Sequence, residues 1–136
     1  ALDVTVQAQV LDLMREINEE LGTAIVLVTH DLGVAAEFCY KAAVMYAGQI
    51  VESGGIEDVL SSPLHPYTRG LLKSIPKIGQ RRELVPINGE VPDLTDLSEG
   101  CSFAPRCREA YSYCERTSPP LVHLKNGRKV RCHLYT

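Results

Sequence analysis

Four of the five cysteines lie within the last 36 residues, at Cys101, Cys107, Cys114 and Cys132, in the pattern C-x5-C-x6-C-x17-C. This segment has few large hydrophobic side chains, so it needs a cross-link to fold. No secretory signal is recognisable in the sequence, and we therefore expect reduced thiols that bind a metal rather than disulfides. Two disulfides, or four ordinary thiols, are the alternatives.

The cysteine spacing does not select the metal. It matches neither the paired C-x-x-C of structural zinc sites nor the tight spacing of bacterial ferredoxins. Four thiolates can surround one tetrahedral ion or a cubane cluster. The negative charge of either would be offset by neighbouring arginines, which are Arg106, Arg108, Arg116 and Arg131. The fifth cysteine, Cys39, lies in a short apolar stretch and is expected to be buried.

The first half of the chain has the pattern of an α/β domain. From Val4 to Leu21, apolar residues recur at steps of three and four, which predicts an amphipathic helix packed on a core. Asp3 is placed to cap this helix and Gly22 to end it. The run Thr23–Thr29 is apolar and β-branched, and it predicts a strand buried on both faces.

Shorter elements follow in the predicted order. We expect a helix over Leu32–Cys39 capped by Asp31, and a hairpin whose strands are Ala42–Tyr46 and Gln49–Glu52. A further helix is predicted over Ile56–Leu60. This order is that of the latter part of a layered α/β domain. Because the chain opens on Ala1-Leu2-Asp3 without a methionine, we expect it to be a piece of a longer protein.

Charge and proline content change near residue 62. Residues 1–60 carry ten acidic and two basic side chains, and residues 61–136 carry seven acidic and twelve basic ones. We therefore predict two parts, 1–62 and 63–136, the second with a helix over Tyr67–Ser74 and an extended stretch from Pro76 to Gly100. The basic residues of the second part are scattered and no nucleic-acid motif accompanies them, so no nucleic-acid partner is predicted.

His30 is the candidate functional residue of the first part. It follows the predicted buried strand, and ligands of open α/β sheets bind beyond the carboxyl ends of strands. An imidazole there can donate to a phosphate oxygen or hold a water in line with it. The alternative is a turn residue with satisfied hydrogen bonds.

Three runs of the first part resemble the end of an ABC transporter nucleotide-binding domain, a P-loop (RecA-like) fold: Ala1-Leu2-Asp3, VTHD at 28–31 and VMYAGQIVESG at 44–54. The resemblance implies that Asp3 belongs to the D-loop and that His30 is the switch histidine that senses the γ-phosphate of ATP. The sequence contains no phosphate loop, Walker B pair or signature motif. ATP and magnesium are thus expected only in the full-length subunit, and this chain alone is not expected to be an enzyme.

The run SSPLHPYTRGLLKSIP at 61–76 resembles the segment that distinguishes oligopeptide and dipeptide importer ATPases. The resemblance implies peptide uptake at the cytoplasmic face of the cell membrane. It also implies three partners, namely a second ATP-binding subunit, transmembrane permease subunits and an extracytoplasmic peptide-binding protein. Related subunits serve nickel or other solutes, which is an alternative. His65 in this segment is expected to have a structural role.

The end of the chain, with CSFAPRC at 101–107 and Ser118-Pro119-Pro120, is similar to the end of dipeptide-importer ATPases, some of which carry a [4Fe–4S] cluster. The resemblance implies a cluster held by Cys101, Cys107, Cys114 and Cys132. Zinc, with His123 or His133 replacing one thiolate, is the alternative. A free-standing metal-binding interaction module on an α/β scaffold is the rival function.

Overall fold

A computed structural model describes residues 3–75 and 85–136 of the chain. The protein is an α/β chain that divides into two compact units, Ala1–Tyr40 and Lys41–Thr136. None of the helices within the described ranges is long and apolar enough to cross a membrane.

The first unit contains two helices whose ends are set by local hydrogen bonds. Helix α1 spans Val4–Leu21, with the Asp3 carboxylate accepting from the Thr5 N–H at 2.9 Å. It ends at Gly22, which adopts the left-handed conformation with φ of 63°. Helix α2 spans Leu32–Phe38 and is capped by Asp31. The predicted helices and caps of this unit are confirmed.

The predicted strand over Thr23–Thr29 is wrong. The segment forms no strand, and the side chains of Val26 and Val28 are 89% and 93% exposed. A β-strand is defined by hydrogen bonds to a neighbouring strand, and no described residue pairs with this segment.

Most of the core positions predicted on α1 are not covered by any of the described residues. Of the apolar residues predicted to face a core from α1, four are exposed: Val6, Val10, Ile17 and Leu21. Cys39, expected to be buried, is only half-buried at the end of α2. Amphipathic periodicity identifies the apolar face of a helix but does not supply the surface that covers it.

The second unit is built on a four-stranded antiparallel sheet. Its strands are β1 (Lys41–Tyr46), β2 (Gln49–Gly55), β3 (Val122–His123) and β4 (Lys129–Val130), in the order β1-β2-β4-β3. The β1–β2 hairpin is confirmed, and its two-residue turn has φ of 45° at Ala47 and 76° at Gly48. The β3–β4 hairpin was not predicted, and it pairs with β2 from the far end of the chain.

Three helices and two short 3₁₀ turns complete the second unit. The helices are α3 (Ile56–Ser61), α4 (Pro66–Lys73) and α5 (Ser112–Arg116), and the turns are Ala104–Arg106 and His133–Tyr135. The first two helices were predicted to within a residue or so. Residues 85–100 form neither helix nor strand, as expected, while residues 76–84 of the predicted extended stretch lie outside the described residues.

Aromatic side chains join the cysteine-rich segment to the hairpin. The Phe103 ring lies 5.1 Å from the Tyr46 ring of β1 and 5.4 Å from the Tyr67 ring of α4, measured between centroids. Tyr46, Val51 and Phe103 form one buried hydrophobic cluster. The cysteine-rich segment is thus part of the same folded unit as the β1–β2 hairpin. The division into family segments at residue 62 stays a prediction.

Candidate metal centre

Four cysteines from three parts of the second unit line one cavity. Cys101 and Cys107 flank the first 3₁₀ turn, Cys114 lies in α5, and Cys132 follows β4. The cavity has a volume of about 20 Å³, and its other walls include His65, Pro66, Phe103 and His133. The cysteines predicted to act together are therefore brought together by the fold.

A backbone hydrogen bond and a glycine bring the first and third cysteines close. The Cys101 N–H donates to the Cys114 carbonyl at 2.7 Å. The preceding residue, Gly100, packs closely against the backbone of Cys114 and Glu115. A Cβ atom at Gly100 would lie 2.5 Å from the Cys114 carbonyl oxygen and would also collide with the Glu115 carbonyl oxygen. Only glycine allows this approach of the two backbones.

Burial raises the pKa of the Cys101, Cys107 and Cys132 thiols, and the charges of neighbouring cysteines raise these pKa values further. These effects of one cysteine on the pKa of another agree with their shared cavity, since both require the thiols to lie close together. Without a metal the arrangement therefore favours the protonated thiols, and metal binding would release protons.

Backbone N–H groups act in the opposite direction on these thiols. After burial has raised the pKa of each thiol, a hydrogen bond from the N–H two residues further along lowers it: Phe103 for Cys101, Glu109 for Cys107 and Leu134 for Cys132. Such donors stabilise a thiolate and tune the properties of a thiolate-bound metal. The local backbone is therefore suited to thiolate ligands at three of the four positions.

His133 places an unpartnered nitrogen beside the thiols. Its side chain is 7% exposed, and its Nε2 lies 2.8 Å from the Thr117 carbonyl oxygen, which can only accept. The Nδ1 atom is buried and has no hydrogen-bond partner among the residues that the structure describes. Metal-binding histidines commonly donate their other N–H to a carbonyl in this way. His123, the other histidine considered for zinc, is exposed on β3.

The donor set fits a thiolate metal site, but the structure does not itself show one. Among residues 3–75 and 85–136, no three Cys, His, Asp or Glu side chains are arranged to hold a metal ion. Three of the arginines expected to offset the charge of the site donate to backbone carbonyls instead. Arg106 donates to Ile87 and Asn88, Arg116 to Ser112, and Arg131 to Pro119 and Ile50.

The comparisons with known proteins show what the chain is similar to. Residues 51–114 match a family model described as the oligopeptide/dipeptide transporter C-terminal region. The chain is 51% identical over 136 residues to the oligopeptide transport ATP-binding protein AppD of Bacillus subtilis, and 48% identical over 139 residues to a putative peptide import ATP-binding protein of Brucella ovis. It matches the C-terminal region of oligopeptide/dipeptide transporter ATP-binding proteins.

The match spans the chain but only part of each relative. It covers 99% of this chain and 42% of the Bacillus protein, and 97% of this chain and 41% of the Brucella ovis protein. A putative peptide import ATP-binding protein of Brucella abortus, 46% identical, is covered to 40%. The chain therefore spans about two fifths of the length of these relatives.

The two residues assigned to ATP chemistry lie in the first unit. Asp3 caps α1 through its carboxylate, and His30 is exposed just before α2. Their roles at the γ-phosphate and in the D-loop stay predictions. Ala1 and Leu2 of the predicted D-loop lie outside the described residues.

Sequence patterns did not reveal the buried polar residues beside the cysteine cavity. Glu52 and Arg128 are both buried and form an ion pair of 2.7 Å. Glu52 lies in the VESG run and Arg128 in a turn 76 residues later. No spacing rule links residues so far apart. The available signal in the sequence was a glutamate directly after Val51 in a predicted strand, and Val51 is buried in the structure.

Proposed function

We propose that this chain is the C-terminal part of the ATP-binding subunit of an ABC importer that couples ATP hydrolysis to uptake of di- or oligopeptides. The observation that carries the proposal is the match over 99% of the chain to an oligopeptide transport ATP-binding protein. Its partners would be a second ATP-binding subunit, permease subunits and an extracytoplasmic peptide-binding protein. The subunit would act at the cytoplasmic face of the membrane.

In the intact subunit, ATP binding would close two such domains on one another. His30 would contact the γ-phosphate, and Asp3 would lie at the interface between the domains. The groups that bind the other phosphates and magnesium would come from sequence outside this chain. The exposure of His30 just before α2 leaves its imidazole accessible to such a ligand, which supports the assignment.

ATP turnover by the whole subunit, assembled with its permease, tests this function. In His30→Ala, turnover should fall about a hundredfold or more while ATP binding changes little, because a γ-phosphate sensor acts mainly on the transition state. The matched control is His123→Ala, which removes an exposed histidine of β3 and should keep parental turnover. Parental turnover in His30→Ala would refute the switch assignment.

We further propose that Cys101, Cys107, Cys114 and Cys132 hold one metal centre, a [4Fe–4S] cluster. The observation that supports it is that the four cysteines line one cavity. Burial raises the pKa of three of these thiols, the neighbouring cysteines raise it further, and backbone N–H groups lower it. A cluster, when bound, would cross-link four segments of the chain and can carry an electron. The choice of cluster rests on the family resemblance.

Zinc is the alternative occupant of the same site. The unpartnered Nδ1 of His133 is the observation that favours it, since a neutral imidazole could replace one thiolate.

A further inference from the structure

A completely buried carboxylate lies close to the cysteine cavity. Glu52 of β2 accepts three hydrogen bonds, one from the Arg128 guanidinium at 2.7 Å and one each from the N–H groups of Leu64 and His65 at 2.9 Å. A buried charge with fewer partners would destabilise the fold strongly. The three donors come from two parts of the chain that are not otherwise connected in sequence.

Arg128 connects Glu52 to the second of these two parts of the chain. It lies in the turn before β4 and donates to the Ser62 carbonyl at 2.7 Å as well as to Glu52. Its aliphatic part passes over Gly54, where a Cβ atom would lie 2.9 Å from Arg128 Cγ. The Glu52–Arg128 pair thus fastens residues 62–65 to the β3–β4 hairpin.

The same two parts of the chain both line the cysteine cavity. His65 and Pro66 contribute one wall, while Cys132 and His133, directly after β4, contribute another. A second contact joins the walls, because the Tyr135 hydroxyl donates to the Leu64 carbonyl at 3.1 Å. Any group bound in the cavity therefore contacts elements whose relative position depends on Glu52.

We propose that Glu52 is a positioning residue of the metal centre: by holding residues 62–66 against the β3–β4 hairpin, it makes occupancy of the cavity and docking of this segment stabilise one another. The proposal rests on the metal centre proposed above. Coupling of this kind is reciprocal, so weakening the segment must weaken metal retention, and removing the metal must loosen the segment.

Metal release measures the first direction. The anaerobically purified whole subunit is mixed with a ferrous-iron chelator, and iron loss is followed by absorbance. Glu52→Gln keeps the side-chain size but removes the charge opposite Arg128, and it should speed release about tenfold. The absorption spectrum of the loaded protein should keep its shape, because no ligand is changed. A general loss of ligands would alter that spectrum.

The matched control is Glu57→Gln, which changes an exposed glutamate of α3 and should release iron at the parental rate. Arg128→Lys is a second test that does not depend on the folding of Glu52→Gln. One guanidinium nitrogen of Arg128 donates to both Glu52 and Ser62 at 2.7 Å, and the lysine side chain is one bond shorter, so its ammonium does not reach both acceptors. This substitution should also speed release. Parental release rates in either folded variant would overturn the proposal.

Hydrogen exchange measures the reverse direction. The Leu64 and His65 amides, which donate to Glu52, should exchange more slowly in the loaded subunit than in the metal-free one. Equal exchange in the two forms would overturn the coupling and leave the metal centre standing. A subunit that binds neither iron nor zinc would overturn the metal centre and the coupling together, and metal analysis of the parent protein distinguishes the two failures.

Discussion

The buried side chain of His65 makes the stability of the fold depend on pH. Burial lowers its pKa from 6.5 to about 4, and this effect exceeds the opposing influence of the Glu52 carboxylate. The Arg69 guanidinium of α4 lowers the pKa further, while the Arg131 carbonyl raises it. Its Nδ1 accepts from the Tyr67 N–H at 3.0 Å and so caps α4. The structural role expected for His65 is confirmed.

The second unit should lose stability as the pH falls from 6.5 to about 4. The unfolded chain binds a proton at His65 in this window and the folded chain does not, so protons favour unfolding. The full effect is about 3 kcal/mol, reached near pH 4. Urea unfolding at a series of pH values measures it.

His65→Asn tests the assignment because asparagine can cap the helix but does not titrate. Its free energy of unfolding should depend less steeply on pH between 6.5 and about 4. His123→Asn, at an exposed position, should keep the parental slope. If His65→Asn also kept it, another group would be responsible.

Residue-scale features were predictable where their causes are local. The caps at Asp3 and Asp31 and the left-handed Gly22 each depend on neighbours within a few residues. The Glu52–Arg128 pair depends on two strands that meet only in the folded protein, so sequence patterns did not indicate it.

At the scale of elements, periodicity predicted what a single element determines by itself. Helix α1 was predicted with both ends, and the β1–β2 hairpin with its turn, because spacing and turn residues define them; strand β2 runs on to Gly55, three residues past its predicted end. The segment Thr23–Thr29 failed because a strand requires a partner. Strands β3 and β4, of two residues each, are too short for alternation to be recognised.

Gly100→Ala should destabilise the cysteine-rich segment. The added methyl group would collide with the Cys114 and Glu115 carbonyls, and relief requires the Cys101 and Cys114 backbones to separate. We expect the free energy of unfolding to fall by about 1–3 kcal/mol, the usual cost of overpacking. Urea unfolding measures the change, and hydrogen exchange should place it at residues 100–115.

Gly55→Ala is the control for this substitution. A methyl group there would lie 3.4 Å from an Asp58 carboxylate oxygen, an ordinary contact, and Gly55 has φ of −58°. Because Gly55 is the N-cap of α3, where glycine is preferred to alanine, the substitution should cost only about 0.5 kcal/mol. Equal effects of the two substitutions would show that the approach at Gly100 is not specific.

At the scale of the molecule, the first and last strands of the second unit belong to one sheet, which lies beside the cysteine cavity. Strand β2 pairs with β4, and the Arg131 N–H donates to the Val51 carbonyl at 2.8 Å, directly before Cys132. The grouping of the four cysteines was predicted from their crowding in sequence, but the sheet that positions Cys132 was not. Non-local strand pairing supplies that position.

The metal and sulfide content of the anaerobically purified whole subunit tests the central claim most directly. A shared cluster on Cys101, Cys107, Cys114 and Cys132 predicts brown protein with iron and acid-labile sulfide in equal amounts, both lost in Cys114→Ser, while Cys39→Ser keeps them. One zinc per chain in colourless protein would keep the shared site and refute the cluster. Parent protein with neither metal, or with two native disulfides among these cysteines, would contradict the metal centre itself.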